Sequence, residues 1–481
     1  MKILFFWPGI GGKPTMGLSI LQSILKQSGH EVDLFSTATL HSYPRSTRGM
    51  LYKKSNDKDS KPDEVEYNIQ KEMGISLFNK KIAEFRPDLI CFSSFSTNYL
   101  IGIDYLAGIR KTCPIIAGGI HPTLCPDEVL ANPLIDAVCI GEAENVIENI
   151  ANLDFVDTLN VWYKKNGKIV KNPTGCYSNL NSDVPFRLPE FYYPTTSFIK
   201  GIEYLEASFE TSRGCPYKCR YCCNDTYKKA VFGDTVPRIR RMSPSIAISH
   251  IVHARQHTNI NLVRFVDENI FIAPKEWINE FFSLYSEHVN LPFILQTSVN
   301  TINPEIALLL KKAGCVTITL GFESGNEEYR KTVLGKKFTD QDFFSAVSIL
   351  QDLDIRVSFG MMIGTPLQTK ELLAESIRTL RKLRVPVSWD YYMPLPKSPL
   401  GDYAISEGFI PPSTGFEVYQ QIGAPRYVPI GITKTELVGY ARTFLLYAML
   451  PESLHPIVKI CENDTEESNR ILDILELVFY F

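Results

Sequence analysis

A chain of 481 residues with 44% apolar and 21% charged side chains has the composition of a water-soluble globular protein and the length of about two to four domains. Its net charge of −3 argues against a dedicated nucleic-acid surface. No apolar run approaches the roughly 18 residues of a membrane span, and the longest candidate, Thr443 to Leu450, is too short.

Lys2 to Trp7 is an apolar run cut at once by Pro8-Gly9, which predicts a buried strand and not a leader peptide. Leu18, Ile20, Leu21, Ile24 and Leu25 recur at helical spacing and predict a helix from Gly17 to Gly29. Glu31–Phe35 reads as the next strand. Residues 42–66 are polar and read as a surface loop leading into a helical segment. Strands follow at Asp88–Ser94, Pro114–Ala117 and Ala137–Ile140, with a helix over Asn98–Thr112. Strands alternating with helices predict a parallel, doubly wound sheet over residues 1–172. Ligands of such sheets sit at the carboxyl ends of the strands. Those ends here carry Pro8-Gly9, Ser93-Ser94, Gly118-Gly119 and Gly141-Glu142.

Val161–Val170 reads as a hairpin turning at Asn166-Gly167. The proline-rich stretch 173–203 reads as a linker. Tyr204–Glu210 then starts a second series of strands: Leu262–Val266, Phe293–Thr297, Val316–Leu320, Ile355–Met361 and Val387–Tyr392, separated by helical segments. Ser243-Pro244 marks one helix start. The series predicts a partial parallel barrel over 204–400, with its chemistry at the carboxyl-end mouth. Residues 401–481 read as helical, and Lys434–Leu450 as a helix covering the barrel or, more sharply, as a substrate lid.

The second series opens on Ser212-Arg213-Gly214-Cys215-Pro216-Tyr217-Lys218-Cys219-Arg220-Tyr221-Cys222. Cysteine thiolates are the usual ligands of iron–sulfur clusters, which normally take four. Three in one loop leave an iron with an open position. A zinc knuckle is the alternative, but it needs a second Cys or His pair about 12–20 residues on. After Cys223, which reads as a packed thiol, the next cysteine is Cys315. The other cysteines are scattered, as in a protein of a reducing cytoplasm.

Cys215, Cys219 and Cys222, with Ser-Arg-Gly before them and Tyr221 between the last two, resemble the cluster loop of radical S-adenosylmethionine (SAM) enzymes. The resemblance implies a 4Fe-4S cluster whose open iron chelates SAM and passes it one electron, releasing methionine and a 5′-deoxyadenosyl radical. It also implies that Tyr221 lies near adenine. Asp267-Glu268-Asn269 stands where most of the family has a Gly-Gly-Glu-like segment for the SAM amino group. Gly321-Phe322-Glu323-Ser324-Gly325 resembles the segment that contacts ribose. Gly360 to Pro366, with Gly364, resembles the one that packs on adenine. Arg241, Arg330 and Lys336 are candidate partners for the methionine carboxylate; Arg330 and Lys336 read equally well as solvated helix charges. Met393–Leu400 resembles the loop after the sixth strand, placed to close over the substrate.

The order Ser93-Ser94-Phe95-Ser96-Thr97, Gly118-Gly119-Ile120-His121-Pro122-Thr123 and Gly141-Glu142-Ala143-Glu144 resembles the cobalamin-binding domain that precedes the barrel in one subclass. The Asp-x-His-x-x-Gly loop that ligates cobalt in methionine-synthase-type domains is absent between the first strand and the first helix. That departure implies cobalamin bound with its own base displaced and no histidine on cobalt. Residue by residue, the resemblance carries cobalamin contact to Ser93, Ser94, Gly118, Gly119, His121, Thr123, Gly141 and Glu142, with His121 read as a packing or hydrogen-bonding residue and not a ligand.

Together these imply a cobalamin-dependent radical SAM enzyme that methylates an unactivated carbon of a small-molecule, lipid or peptide substrate and draws electrons from a donor such as flavodoxin or ferredoxin. Cyclisation, ring contraction or rearrangement is the alternative within the subclass, and a cobalamin or redox sensor the alternative outside it.

Overall fold

The computed structural model describes residues 1–9, 14–38, 62–233, 239–385, 387–408 and 428–480, with backbone alone at 62–70 and 476–480. Residues 10–13 of the first loop and most of the 42–66 segment therefore lie outside the described residues.

The N-terminal sheet begins with β1 (Lys2–Trp7), β2 (Glu31–Ser36), β3 (Leu89–Ser93), β4 (Ile115–Gly118) and β5 (Ala137–Cys139). Ile3, Leu4, Phe5 and Phe6 are all fully buried. Successive side chains point to opposite faces. Leu4 and Phe6 enter the core on one side, and Ile3, Phe5 and Trp7 the core on the other. Both faces are thus covered, which is why β1 is continuously apolar. Strand order is β2-β1-β3-β4-β5, all parallel. The crevice at its switch point opens between the ends of β1 and β3. The helix Met16–Gln27 returns from β1, with Thr15 as its N-cap.

The expected hairpin is present as β6 (Val161–Lys165) and β7 (Lys168–Lys171). Asn166 and Gly167 both take the left-handed conformation that its two-residue turn requires. It extends the sheet antiparallel to β5. The expected helix 98–112 is shorter, Tyr99–Ala107, because Gly108 caps it.

The second sheet contains β8 (Thr195–Ile199), β9 (Ile202–Phe209), β12 (Leu262–Phe265), β13 (Phe293–Thr297), β14 (Cys315–Glu323), β15 (Arg356–Ile363) and β16 (Val387–Tyr391). Between β9 and β12 lies a short antiparallel ribbon, β10 (Ser212–Arg213) with β11 (Arg240–Arg241). From β9 to β16 every neighbouring pair is parallel, which gives an open half-barrel of six strands. Residues 173–203, read as a linker, do more than connect. Their segment β8 pairs antiparallel with β9 and forms the sheet edge.

Alternation within the strands sorts the barrel's two faces. Ile318, Leu320 and Phe322 of β14, Val357 and Phe359 of β15, and Val387 and Trp389 of β16 enter the core under the outer helices. Thr319, Glu323, Ser358, Ser388 and Asp390 alternate with them and face the lumen. The helix Lys434–Met449 places Leu437, Ala441, Phe444 and Ala448 in that same outer core. It packs on the outside of the barrel, as a cover does.

Candidate site between the two sheets

The cysteine loop leaves β9 through Glu210 and the ribbon strand β10. Asp267, fully buried, fixes that exit. Its carboxylate accepts from Thr211 N (3.0 Å to each oxygen), from Thr211 Oγ1 (2.7 Å) and from Ser212 Oγ (2.6 Å). Burial pushes the Asp267 carboxyl up, and these donors oppose the shift. The far side of the loop is pinned twice: Arg220 N donates to Leu334 O (3.0 Å) and Leu400 N donates to Arg220 O (3.0 Å). Gly335, with φ of +73°, allows that approach. A Cβ there would stand 3.1 Å from Lys218 O.

Cys215, Cys219 and Cys222 are half-buried and unpaired thiols. Burial raises all three, Cys215 to about 11; for Cys222 a hydrogen bond with Cys223 adds to the rise and is the larger cause. Lys336 opposes the rise at Cys219. Among the described residues no three His, Cys, Asp or Glu side chains gather closely enough to hold a single metal ion. A cubane spreads its cysteines over several irons, and three thiols at the barrel mouth are the donor set such a cluster takes. Cys223 is not a packed thiol as expected: it lines a cavity with Cys215.

Behind the loop, Tyr221 Oη donates to Glu323 Oε1 (3.1 Å), and Lys336 Nζ reaches the same oxygen (3.0 Å) and Gly321 O (2.9 Å). Glu323 has a φ of +60°, a strained value for a residue with a side chain. Arg330 is no solvated charge. It is fully buried, donates to Ser324 O (2.8 Å), pairs with Asp340 and stacks on Phe338. Arg241 is likewise committed, to Ile272 O and the face of Trp277. Gly364 is turned inward, its N–H on Gln368 Oε1 (2.7 Å).

A cavity of about 390 Å³ lies between the sheets. Ser93, Ser94, Gly118, Gly119, Gly141 and Glu142 line it from the N-terminal strand ends, and Cys215 and Glu268 from the barrel. Its floor reaches Phe5, Leu18 and Ile116 inside the N-terminal domain. Ser94 Oγ is buried and has no partner among the described residues. Gly119 has a φ of +100°, and a Cβ there would stand 2.6 Å from Ser94 O. These features fit the cofactor that the loops suggested: a deep apolar arm, a glycine-rich rim and a spare buried hydroxyl.

Several predicted contacts serve the rim from behind. Thr123 Oγ1 donates to Gly119 O (2.7 Å) and accepts from Gly141 N (2.9 Å), holding two glycine loops together. His121 is fully buried, bonded to Ser96 Oγ (3.0 Å) and packed on Tyr99. Neither lines the cavity, and nor do Asp267, Ser324 or Gly364. Arg213, Arg240, Glu144, Glu210 and Tyr227 do line it and were missed. Arg213 was visible two residues before the first cysteine, but two of its three carboxylate partners, Glu142 and Glu144, lie about 70 residues away in sequence.

Residues 209–380 match the radical SAM superfamily, and residues 65–151 the B12 binding domain. The second match omits β1 and β2, which the structure places in the same sheet. An uncharacterized methyltransferase of Pyrococcus horikoshii is 24% identical over 378 residues, 75% of this chain and 79% of its own. The hopanoid C-3 methylase of Methylococcus capsulatus is 26% identical over 56% of this chain and 53% of its own. In fold, the chain superposes on the radical SAM methyltransferase TsrM from Kitasatospora setae, with cobalamin and a [4Fe-4S] cluster bound, at a TM-score of 0.63 and 13% identity over 99% of each chain. OxsB, a cobalamin-dependent SAM radical enzyme with aqua-cobalamin and SAM bound, gives a TM-score of 0.56 at 16% identity over 90% of this chain and 58% of that one.

Proposed function

From the premise that this chain belongs to the cobalamin-dependent radical SAM enzymes, we propose that it transfers a methyl group to an unactivated carbon of a substrate held at the mouth of the half-barrel. The observation that carries the reading is the cavity edged both by the glycine rim of the N-terminal sheet and by Cys215. Methyl donor and radical source must meet within a few ångströms of one carbon, and one shared cavity answers that need.

Cys215, Cys219 and Cys222 would hold the cluster, and the rim from Ser93 to Glu142 the cobalamin. When bound, these groups supply an electron for cleaving SAM and a transferable methyl group. The chain's own residues orient and shield. Asp267 fixes the start of the cysteine loop, Tyr221 and Lys336 hold the Glu323 carboxylate, and Glu268 faces the cavity as an acceptor for an ammonium group. Ser388 and Asp390 are exposed on the lumen face of β16. They suit a substrate that brings hydrogen-bond donors to the reacting end.

The electron donor is an acidic one-electron carrier in this reading. Lys218, Lys229 and Lys397 surround the second opening of the loop, where Cys219 and Cys222 emerge. Lys229 is paired with Asp225 (2.7 Å), and among the described residues Lys218 and Lys397 have no ion pair.

The test is anaerobic. The full chain is reconstituted with iron, sulfide and hydroxocobalamin, desalted, and compared with Cys219→Ala and Cys223→Ala. Retained corrinoid bands, with cluster absorption lost in Cys219→Ala and kept in Cys223→Ala, are expected. SAM labelled in its methyl group then separates methyl transfer from rearrangement, since only the former leaves label in the substrate. A cluster without corrinoid overturns the proposal.

A further inference from the structure

We propose that Arg213 is a positioning residue that makes the two cofactor sites interdependent, so that cobalamin and the iron–sulfur cluster each change the other's affinity. The inference rests on the cofactor reading above and adds to it a thermodynamic link through this chain's own side chains.

Arg213 lies two residues before Cys215, and Gly214 between them has a φ of +101°. Its guanidinium joins three carboxylates from both domains. Nε and Nη2 bind Glu210 Oε1 at the end of β9 (2.9 and 2.7 Å). Nη1 binds Glu144 Oε1 (2.7 Å) and stands 3.4 Å from Glu142 Oε2. All four side chains are at most 16% exposed. In the ribbon, Arg213 is paired with Arg240, which also reaches across to Glu142 and to Ser178 O. Ser178 closes the net, giving its N–H to Glu142 Oε2 (2.8 Å) and its hydroxyl to Glu144 Oε2 (3.1 Å). Arg240 is seated on Tyr177 and Phe232.

Gly141, Glu142, Ala143 and Glu144 form one edge of the cavity; Arg213, Gly214 and Cys215 form the facing edge. A group filling the cavity touches both. If it moves the Gly141–Glu144 loop, the carboxylates that hold Arg213 move too, and Arg213 is tethered to a cluster cysteine by one glycine. The contact is stiff because buried charges cannot part without leaving one another unpaired, which is strongly unfavourable. The forked guanidinium is what lets one side chain hold carboxylates on both sides. Linkage makes such a coupling reciprocal.

The experiment titrates hydroxocobalamin, followed by corrinoid absorbance, into the cluster-free and cluster-loaded full chain under anaerobic conditions. For the wild type the two Kd values are expected to differ by about fivefold or more. In Arg213→Gln they are expected to agree within about twofold, and adding Glu144→Gln to that variant should lower the ratio no further. Arg213→Lys is expected to restore only part of the ratio, because an ammonium cannot fork. Should Arg213→Gln fail to fold, Glu144→Gln removes one arm alone and must shrink the ratio by itself. Equal Kd values in the wild type, or an undiminished ratio in a folded Arg213→Gln, overturn the coupling. Absence of cobalamin binding in both wild-type forms instead overturns the functional reading.

Discussion

The Tyr221 hydroxyl donates to Glu323 Oε1 at 3.1 Å, joining the cysteine loop to the carboxyl end of the barrel's fourth parallel strand. Lys336 completes the set from the next loop, at 3.0 Å from the same oxygen. Removing one partner leaves a half-buried carboxylate short of a donor, which costs about 1–3 kcal/mol. Lys336→Met is expected to weaken SAM binding roughly tenfold while the cluster still assembles, an effect of about 1.4 kcal/mol. Tyr221→Phe should act in the same direction and more weakly. SAM titrations followed by electron paramagnetic resonance of the reduced cluster check this; unchanged affinity in both variants would remove Glu323 from SAM recognition.

Asp267 accepts three donors and does not line the cavity between the sheets. Asp267→Asn turns one acceptor into a donor facing other donors. The expected cost is about 2–3 kcal/mol in denaturant unfolding, with a fall in iron bound per chain after reconstitution. A variant that binds SAM poorly but keeps full stability and iron content would make Asp267 a direct SAM contact instead.

Burial pushes the His121 imidazole down to about 3. Burial, Arg187 and His253 push His250 down to about 4. Both are therefore neutral in the folded chain, while the unfolded chain takes up protons below about pH 6.5. Their contribution is intact above pH 6.5 and is lost as the pH falls towards the folded values. For His121 the loss by pH 4.5 is about 2–3 kcal/mol. Denaturant midpoints of the cluster-free chain at pH 7 and pH 4.5 should therefore lie closer together in His121→Gln than in the wild type. An identical pH difference in the two proteins would show that His121 titrates normally.

Lys218 and Lys397 flank the opening at Cys219 and Cys222. Lys218→Glu with Lys397→Glu is expected to slow cluster reduction by reduced flavodoxin about tenfold or more at low salt, less at high salt, and not at all by dithionite. Equal slowing with dithionite would point to damage at the cluster, not to docking.

Much of the fold was legible because local rules govern it. Ser243 caps the helix Pro244–His257, as its side chain allows. Asn166-Gly167 turns its hairpin. The edge strand β8 was not legible. It sits among prolines, and its pairing with β9 turns on a two-residue loop, Lys200-Gly201, both residues with positive φ. Arg330 carried no signal of burial either: a charge on a short helix reads as solvated until Phe338, Ser324 and Asp340 close over it.

The sequence by itself determined the chemistry: three thiols at fixed spacing, glycines at strand ends and the order of the two domains are local or periodic properties. Tertiary structure alone decided who touches whom. It set Thr123 and His121 behind the rim and Asp267 beneath the loop, and it brought Glu142 and Glu144 against Arg213 from across the domain boundary. Contacts between groups some 70 residues apart depend on how the two sheets dock. No local spacing encodes that docking, because the buried charge pairs that fix it exist only once both surfaces have met.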